Sequence, residues 1–182
     1  MRRRLVPVAI MMALLLGGRA ARAAENSFGV GIGYVKAKEV QSTIWFEGDY
    51  RFYVGRSFAV APEVSYWKKS ASGLAVSASI RDLAFGVNAL MVLRPARGVN
   101  VFAGGGGGLH DLTGDLALGA LSVSNSVTKG GLDVLGGIDL KAGDAVGFFL
   151  AARYDWVLGL AGNRDSRRLD QAKFYGGFRL RF

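Results

Sequence analysis

The chain has 182 residues, 51% of them hydrophobic, with 27 glycines against three prolines and a formal net charge of +9. That length is one domain, and so much glycine with so little proline favours strands and turns over a helical enzyme. The absence of cysteine excludes both a disulfide framework and a thiolate metal site.

Met1 to Ala23 read as an export signal. Arg2, Arg3 and Arg4 form its charged start, Leu5 to Gly18 its apolar stretch, and Ala21-Arg22-Ala23 its small-x-small cleavage site. The chain therefore divides into a signal at 1–23 and a folded domain at 24–182. A retained membrane anchor is the alternative, but the apolar stretch falls short of the roughly 20 residues that a spanning helix needs. Removing the arginines of this segment lowers Lys+Arg from 23 to 18 against 14 acidic residues, and the net charge from +9 to about +4. The basic balance belongs partly to the signal and gives no case for nucleic-acid binding, which wants a clustered basic face.

From Ser27 onward, apolar and polar residues alternate in eight segments, which is the period of a strand. They run near 27–37, 42–54, 57–68, 79–94, 98–109, 127–141, 144–158 and 171–182. Gly55-Arg56, Pro95 to Gly98 and Ala142 to Asp144 are tight turns, whereas the links at 38–41, 69–78, 110–126 and 159–170 are mostly longer. An even strand number with short turns at one end and long loops at the other is the build of an outer-membrane barrel.

Sorting the faces decides between lipid and water. One face carries Phe28, Val30, Ile32 and Tyr34, then Ile44, Phe46, Tyr50 and Phe52, then Phe58, Val60, Val64 and Tyr66, and continues so to Phe148, Leu150, Tyr154 and Trp156. Only Lys36 and Arg81 interrupt it, both at the long-loop end, where they reach headgroups. The opposite face carries Glu47, Asp49, Arg51, Glu63, Asp82, Asp133, Asp139, Lys141, Arg153, Asp155, Lys173, Arg179 and Arg181. A small barrel cannot hold so many aromatics inside, so the oily face belongs in hydrocarbon. A soluble lipocalin-like barrel is the alternative with the same strand count. Phe58 and Tyr66, Phe148 and Trp156, and Phe174 and Phe182 are spaced to mark the two rims of an apolar band.

In this pattern the chain resembles the small porin-like outer-membrane barrels, which include the transmembrane domain of outer-membrane protein A. The resemblance covers the whole segment after the signal, and its sharpest element is the ending Tyr175-Gly176-Gly177-Phe178-Arg179-Leu180-Arg181-Phe182. It implies an all-β, eight-stranded antiparallel up-and-down transmembrane barrel. It also implies that Gly176, Phe178, Leu180 and Phe182 form the assembly signal read by the barrel-assembly machinery. Pro62 departs from the pattern, because a closed barrel wants every strand N–H, and a bulge is expected there.

Charges in a narrow lumen must be paired. Strand register sets Glu47, Asp49, Glu63 and Asp133 at a depth similar to Arg153, with Arg51 and Arg179 nearer the short turns. These residues are expected to form a salt-bridged plug, either gating ions or simply packing the interior. The run Gly104 to Gly108 is read as close strand packing, not as a phosphate loop, since no Lys-Ser or Lys-Thr follows it. His110 opens the longest loop beside Asp111 and Thr113. It invites comparison with the outer-membrane deacylases, but their His-x-Ser is absent, Leu112 standing two residues on. It is read as an ordinary loop histidine, and one histidine makes a poor metal site. Neither a catalytic residue nor a cofactor is assigned. Arg164, Arg167 and Arg168 suit lipopolysaccharide phosphates. The apolar residues of 110–126, Leu116, Leu118, Leu121 and Val123 among them, fit a hairpin above the membrane or a partner contact.

The expected protein is thus a monomeric, non-enzymatic barrel of the bacterial outer membrane. Its partners are lipid, lipopolysaccharide and the assembly machinery, and its role is envelope integrity or surface contact. A narrow ion or small-solute channel and a lipid A acyl hydrolase are the alternatives.

Overall fold

The structure is a computed structural model describing residues 26–38, 40–73, 76–118, 121–158 and 169–182. The export segment and Arg164, Arg167 and Arg168 lie outside the described residues.

Eight strands follow in order: β1 (Ser27–Ala37), β2 (Thr43–Tyr53), β3 (Phe58–Ser72), β4 (Val76–Ala96), β5 (Val99–Leu118), β6 (Leu121–Lys141), β7 (Val146–Leu158) and β8 (Gln171–Arg181). Each pairs antiparallel with its neighbours, and β8 returns to β1 to close a barrel. Closure removes the sheet edges, the condition for strands to cross a bilayer with every backbone group paired. The alternation sorts as the sequence predicts. Phe28, Val30, Ile32, Phe46, Phe85, Leu132, Phe148, Leu150 and Phe178 are exposed on the outside, while Glu47, Asp49, Arg51, Asp133, Arg153 and Arg179 are buried inside. An outer surface of this oiliness is covered only by hydrocarbon. The three aromatic pairs at the proposed rims are all exposed.

The short turns rest on glycine where the chain reverses. Gly55 has φ 79° and Gly98 φ 81°, the left-handed region that other residues enter at a cost. Val54 N–H donates to the Phe58 carbonyl at 2.8 Å and Lys141 N–H to that of Gly98 at 2.7 Å.

Pro62 makes no bulge, contrary to expectation. It stays in register opposite Val87, and its missing N–H only interrupts the β2 to β3 ladder between Asp49↔Glu63 and Phe52↔Val60. The register shift falls instead between Leu93 and Ala96, around Pro95, where a strand end tolerates it.

The second difference is at the long-loop end. The segments 69–78 and 110–126 are largely strand, since β3 and β4 pair up to Ser72↔Ser77 and β5 and β6 up to Leu118↔Leu121. Of the two readings of 110–126, the hairpin is the one observed. These strands keep their period but exchange their faces. Outward positions become Ser70, Ser79, Thr113, Asp115, Ser124 and Ser126, and inward ones Val76, Ile80, Leu112, Leu116, Val123 and Val127. A four-stranded sheet of β3 to β6 therefore stands above the apolar band. Among the described residues β6 meets β7 from Gly130 downward.

Candidate functional site

The lumen is filled in tiers. At the short-turn end, Arg179 lies on β8 opposite Gly29 of β1. Its Nη1 and Nη2 reach both oxygens of Asp49 at 2.8 and 2.9 Å, and its Nε donates to Asp139 at 3.2 Å. Arg51 completes the ring, with Nη1 on Asp139 at 2.9 Å and Nε on Asp49 at 3.2 Å. Two guanidiniums and two carboxylates thus satisfy one another. A Cβ at position 29 would meet the Asp49 carboxylate and lie 2.9 Å from the Arg179 guanidinium, so glycine makes room for the pair. Each cation also lies against a ring, Arg51 4.0 Å above Phe102 and Arg179 4.9 Å above Phe149.

An aromatic layer follows. Tyr175 packs against Trp45 at 4.5 Å and Phe149 at 5.8 Å between ring centroids, both edge-on. Glu47 lies at this depth, opposite Gly31, and its buried Oε2 has no hydrogen-bond partner among the described residues.

The middle tier centres on Arg153. It forms ion pairs with Glu63, with Asp133 at 3.0 Å and with Asp155 at 2.6 Å. Lys173 holds the other oxygen of Asp155 at 2.5 Å, and Asn88 donates to Glu63 at 2.8 Å. The uppermost tier joins four strands: Trp67 donates to Gln171 at 3.2 Å, Gln171 to Asp82 at 2.8 Å, and His110 Nδ1 lies 2.9 Å from the same Asp82 oxygen.

Two readings are corrected by this geometry. Asp49 does not share a depth with Arg153; it belongs with Arg51 and Arg179, because the strand tilt carries β2 positions downward relative to β7. His110 is not a loop residue but a buried lumen residue of β5, with Gly131 leaving space for its ring. Of the expected cluster, Glu63, Asp133 and Arg153 come together, as do Asp49, Arg51 and Arg179, and Glu47 joins neither by a direct ion pair. Asp139, Asp155, Lys173 and Asp82 complete the tiers. All four share the inward parity of the expected residues, so parity alone was the signal, and reckoning depth along single strands obscured it.

No protein-family model and no curated protein sequence matches the chain. Solved structures do. Neisserial surface protein A superposes with a TM-score of 0.66 at 16% identity, covering 86% of this chain and 97% of that one. A major outer membrane protein from Thermus thermophilus gives 0.63 at 11%, covering 86% and 99%. The outer membrane protein OprG from Pseudomonas aeruginosa gives 0.56 at 14%, covering 88% and 96%. The fold is that of the small outer-membrane barrels. The β3 to β6 sheet lies at the end of the barrel that carries the long connections.

Asp115 lies in that sheet, accepting from Ser124 Oγ at 2.6 Å and Ser79 Oγ at 3.1 Å. The two hydroxyls, Ser124 foremost, hold its carboxyl below the ordinary aspartate range, with Arg81 and Lys68 adding to the effect. A carboxylate so depressed stabilises the folded sheet above the pKa of the unfolded chain, and the contribution is lost as pH falls through the lowered value. Acidification below the aspartate range is thus expected to reduce amide-exchange protection at Ser79, Asp115 and Ser124. Asp115→Asn should make that protection insensitive to the same acidification; equal loss in both proteins would refute the role.

Proposed function

We propose that the protein is a non-enzymatic integral barrel of the bacterial outer membrane, exported by a signal cleaved near Ala23. Its lumen is closed by side chains, and it serves envelope integrity or surface contact through the β3 to β6 sheet. The observation that carries this reading is the Arg153 tier, in which one guanidinium bridges carboxylates of β3, β6 and β7 across the middle of the barrel. With the Arg179 tier, the Tyr175 and Phe149 rings and Trp45, against which Lys173 lies at 4.7 Å, the bore of eight strands is occupied by its own side chains. The projecting sheet supports surface contact. It offers exposed apolar residues, Leu121, Val123 and Val127 among them, a feature by which surfaces accept partners. Lipopolysaccharide and the assembly machinery, the latter through Gly176, Phe178, Leu180 and Phe182, are the further partners this reading assigns, to a monomer.

Planar-bilayer recording tests it. A silent membrane is expected. Discrete conductance steps altered by Arg153→Ala would make the lumen a narrow channel, and the excess of buried inward carboxylates over buried inward cations would make that channel prefer cations. A hydrolase finds no support in the position of the histidine, which is buried in the lumen, away from the lipid it would have to attack; the contact of its Nδ1 with Asp82 is one that a catalytic triad would also use.

A further inference from the structure

The outward face of the projecting sheet is a grid of small polar side chains. Register sets Ser70, Ser79, Asp115 and Ser124 side by side across β3, β4, β5 and β6. The row above them is Ser72, Ser77, Ala117 and Ser122, and the row below begins with Lys68 and Arg81. A groove of about 360 Å³ runs over all four strands. Asp115 lies at its centre, and Lys68, Ser70, Ser72, Ser77 and Ser122 stand around it.

Hydrogen bonds fix what the centre presents. Ser79 Oγ and Ser124 Oγ each donate their single proton to Asp115, one to each carboxylate oxygen. These four oxygens therefore converge with lone pairs alone to offer. A carboxylate has about four acceptor sites, so the two serines leave Asp115 with capacity to spare. Asp115 and Ser79 are half-buried and Ser124 is exposed, so the cluster faces whatever enters the groove.

A ligand for this cluster must bring the donors. A phosphate or carboxylate brings none, and Asp115 would repel it. A hard cation takes about six to eight oxygens, with carboxylates prominent among them. Here Asp115 is the one carboxylate of the groove, and the positive charge of Arg81 and Lys68, which already favours its ionised form, opposes a metal. Neutral hydroxyls remain. A saccharide carries them on adjacent carbons, where they can donate to adjacent acceptors, while the surrounding serines donate and accept in turn. The small Ala117 side chain leaves room for a sugar ring.

The direction of the groove selects the source of that sugar. It opens sideways, on the same face as Tyr66 and Leu83, which lie two rows below Ser70 and Ser79 in the outward wall. Whatever stands on the neighbouring lipids therefore meets it. We propose that this groove binds the neutral saccharide of a membrane glycolipid, whose hydroxyls donate to Asp115, Ser79 and Ser124. The site rests on the outer-membrane reading above, with the projecting sheet on the glycolipid leaflet, and it is where that sheet would meet lipopolysaccharide.

The protein in phospholipid nanodiscs can be titrated, with a chelator present, with the core oligosaccharide released from lipopolysaccharide by mild acid and then dephosphorylated. Saturable amide chemical-shift changes are expected at Ser79, Asp115 and Ser124. Asp115→Asn, which replaces the charged acceptor, should weaken binding about tenfold. Ala117→Phe, which fills the groove and leaves the Asp115 bonds in place, should abolish it while the circular-dichroism spectrum stays that of a folded barrel. Nanodiscs carrying whole lipopolysaccharide should show the same shifts without added sugar, and nanodiscs carrying lipid A alone should not. Absence of saturable shifts, affinity unchanged in both variants, or binding that appears only when the chelator is replaced by calcium would each overturn the proposal. So would shifts with lipid A alone, which would move recognition to its phosphates, and shifts with the free sugar but none with whole lipopolysaccharide, which would assign the groove to a glycan from another surface. A silent bilayer recording beside such a failure would leave the closed-barrel reading standing.

Discussion

Arg153→Met is expected to destabilise the barrel by about 3–5 kcal/mol, the cost of leaving buried carboxylates without their partner. The side chain is buried and pairs with Glu63, Asp133 and Asp155 at once. Methionine fills most of its volume, so the loss reports charge more than cavity. Asp155 keeps Lys173, whereas Asp133 loses its ion pair and Glu63 retains only Asn88. Adding Glu63→Gln and Asp133→Asn to the same chain should recover a large part of the deficit, because burying neutral amides costs far less than burying unpaired ions. Equilibrium urea unfolding of the barrel in lipid vesicles measures both steps. A single variant as stable as the parent would mean that the tier is solvated, and the closed-lumen reading would go with it.

The second large effect concerns the seam. Gly177 of β8 pairs with Gly31 of β1, and a Cβ at position 177 would run into the Val30 carbonyl oxygen and lie 2.7 Å from the Gly31 Cα. Both obstacles are backbone, so no rotamer relieves them, and β8 must move away from β1 where the ring closes. Gly177→Val is expected to abolish closure. Heat-modifiable migration in electrophoresis, the mark of a folded barrel resistant to detergent, should disappear. Gly114→Val is the matched control, because a Cβ there meets nothing within 4 Å. It should fold and keep the heat-modifiable migration.

The barrel itself was legible because the membrane imposes a strict rule on each strand: alternate residues meet hydrocarbon. Phe148-Phe149-Leu150-Ala151-Ala152-Arg153 shows both its strength and its limit. Parity sends Phe148 outward and Arg153 inward, yet Phe149 and Ala151 are as apolar as their neighbours and only parity tells that they are buried. Above the membrane the rule lapses. Ser77-Ala78-Ser79 and Ser122-Val123-Ser124 alternate just as well, but with the oily residues on the other side, and serine is a residue of turns as well as of sheets, so strands there read as loops. The lumen partners were harder still. That Arg179 meets Asp49 and Asp139 depends on the stagger between strands, a property of the closed ring that no single segment contains. His110 was misplaced for the same reason, since the strand that carries it continues past the point where the membrane pattern ends.

The distribution of lumen charge along the chain bears on how the molecule is made. Carboxylates come early, with Glu47, Asp49, Glu63, Asp82, Asp133 and Asp139 on β2 to β6, whereas the cations that neutralise them are mostly late, Arg153 on β7 and Lys173 and Arg179 on β8. A partial sheet of the first six strands would carry the carboxylates of the two central tiers with Arg51 as the one cation of those tiers. Such a sheet is excluded from hydrocarbon by the ions it has not yet neutralised. The cations that complete these tiers arrive with β7 and β8, so the lumen is neutralised only when the ring closes.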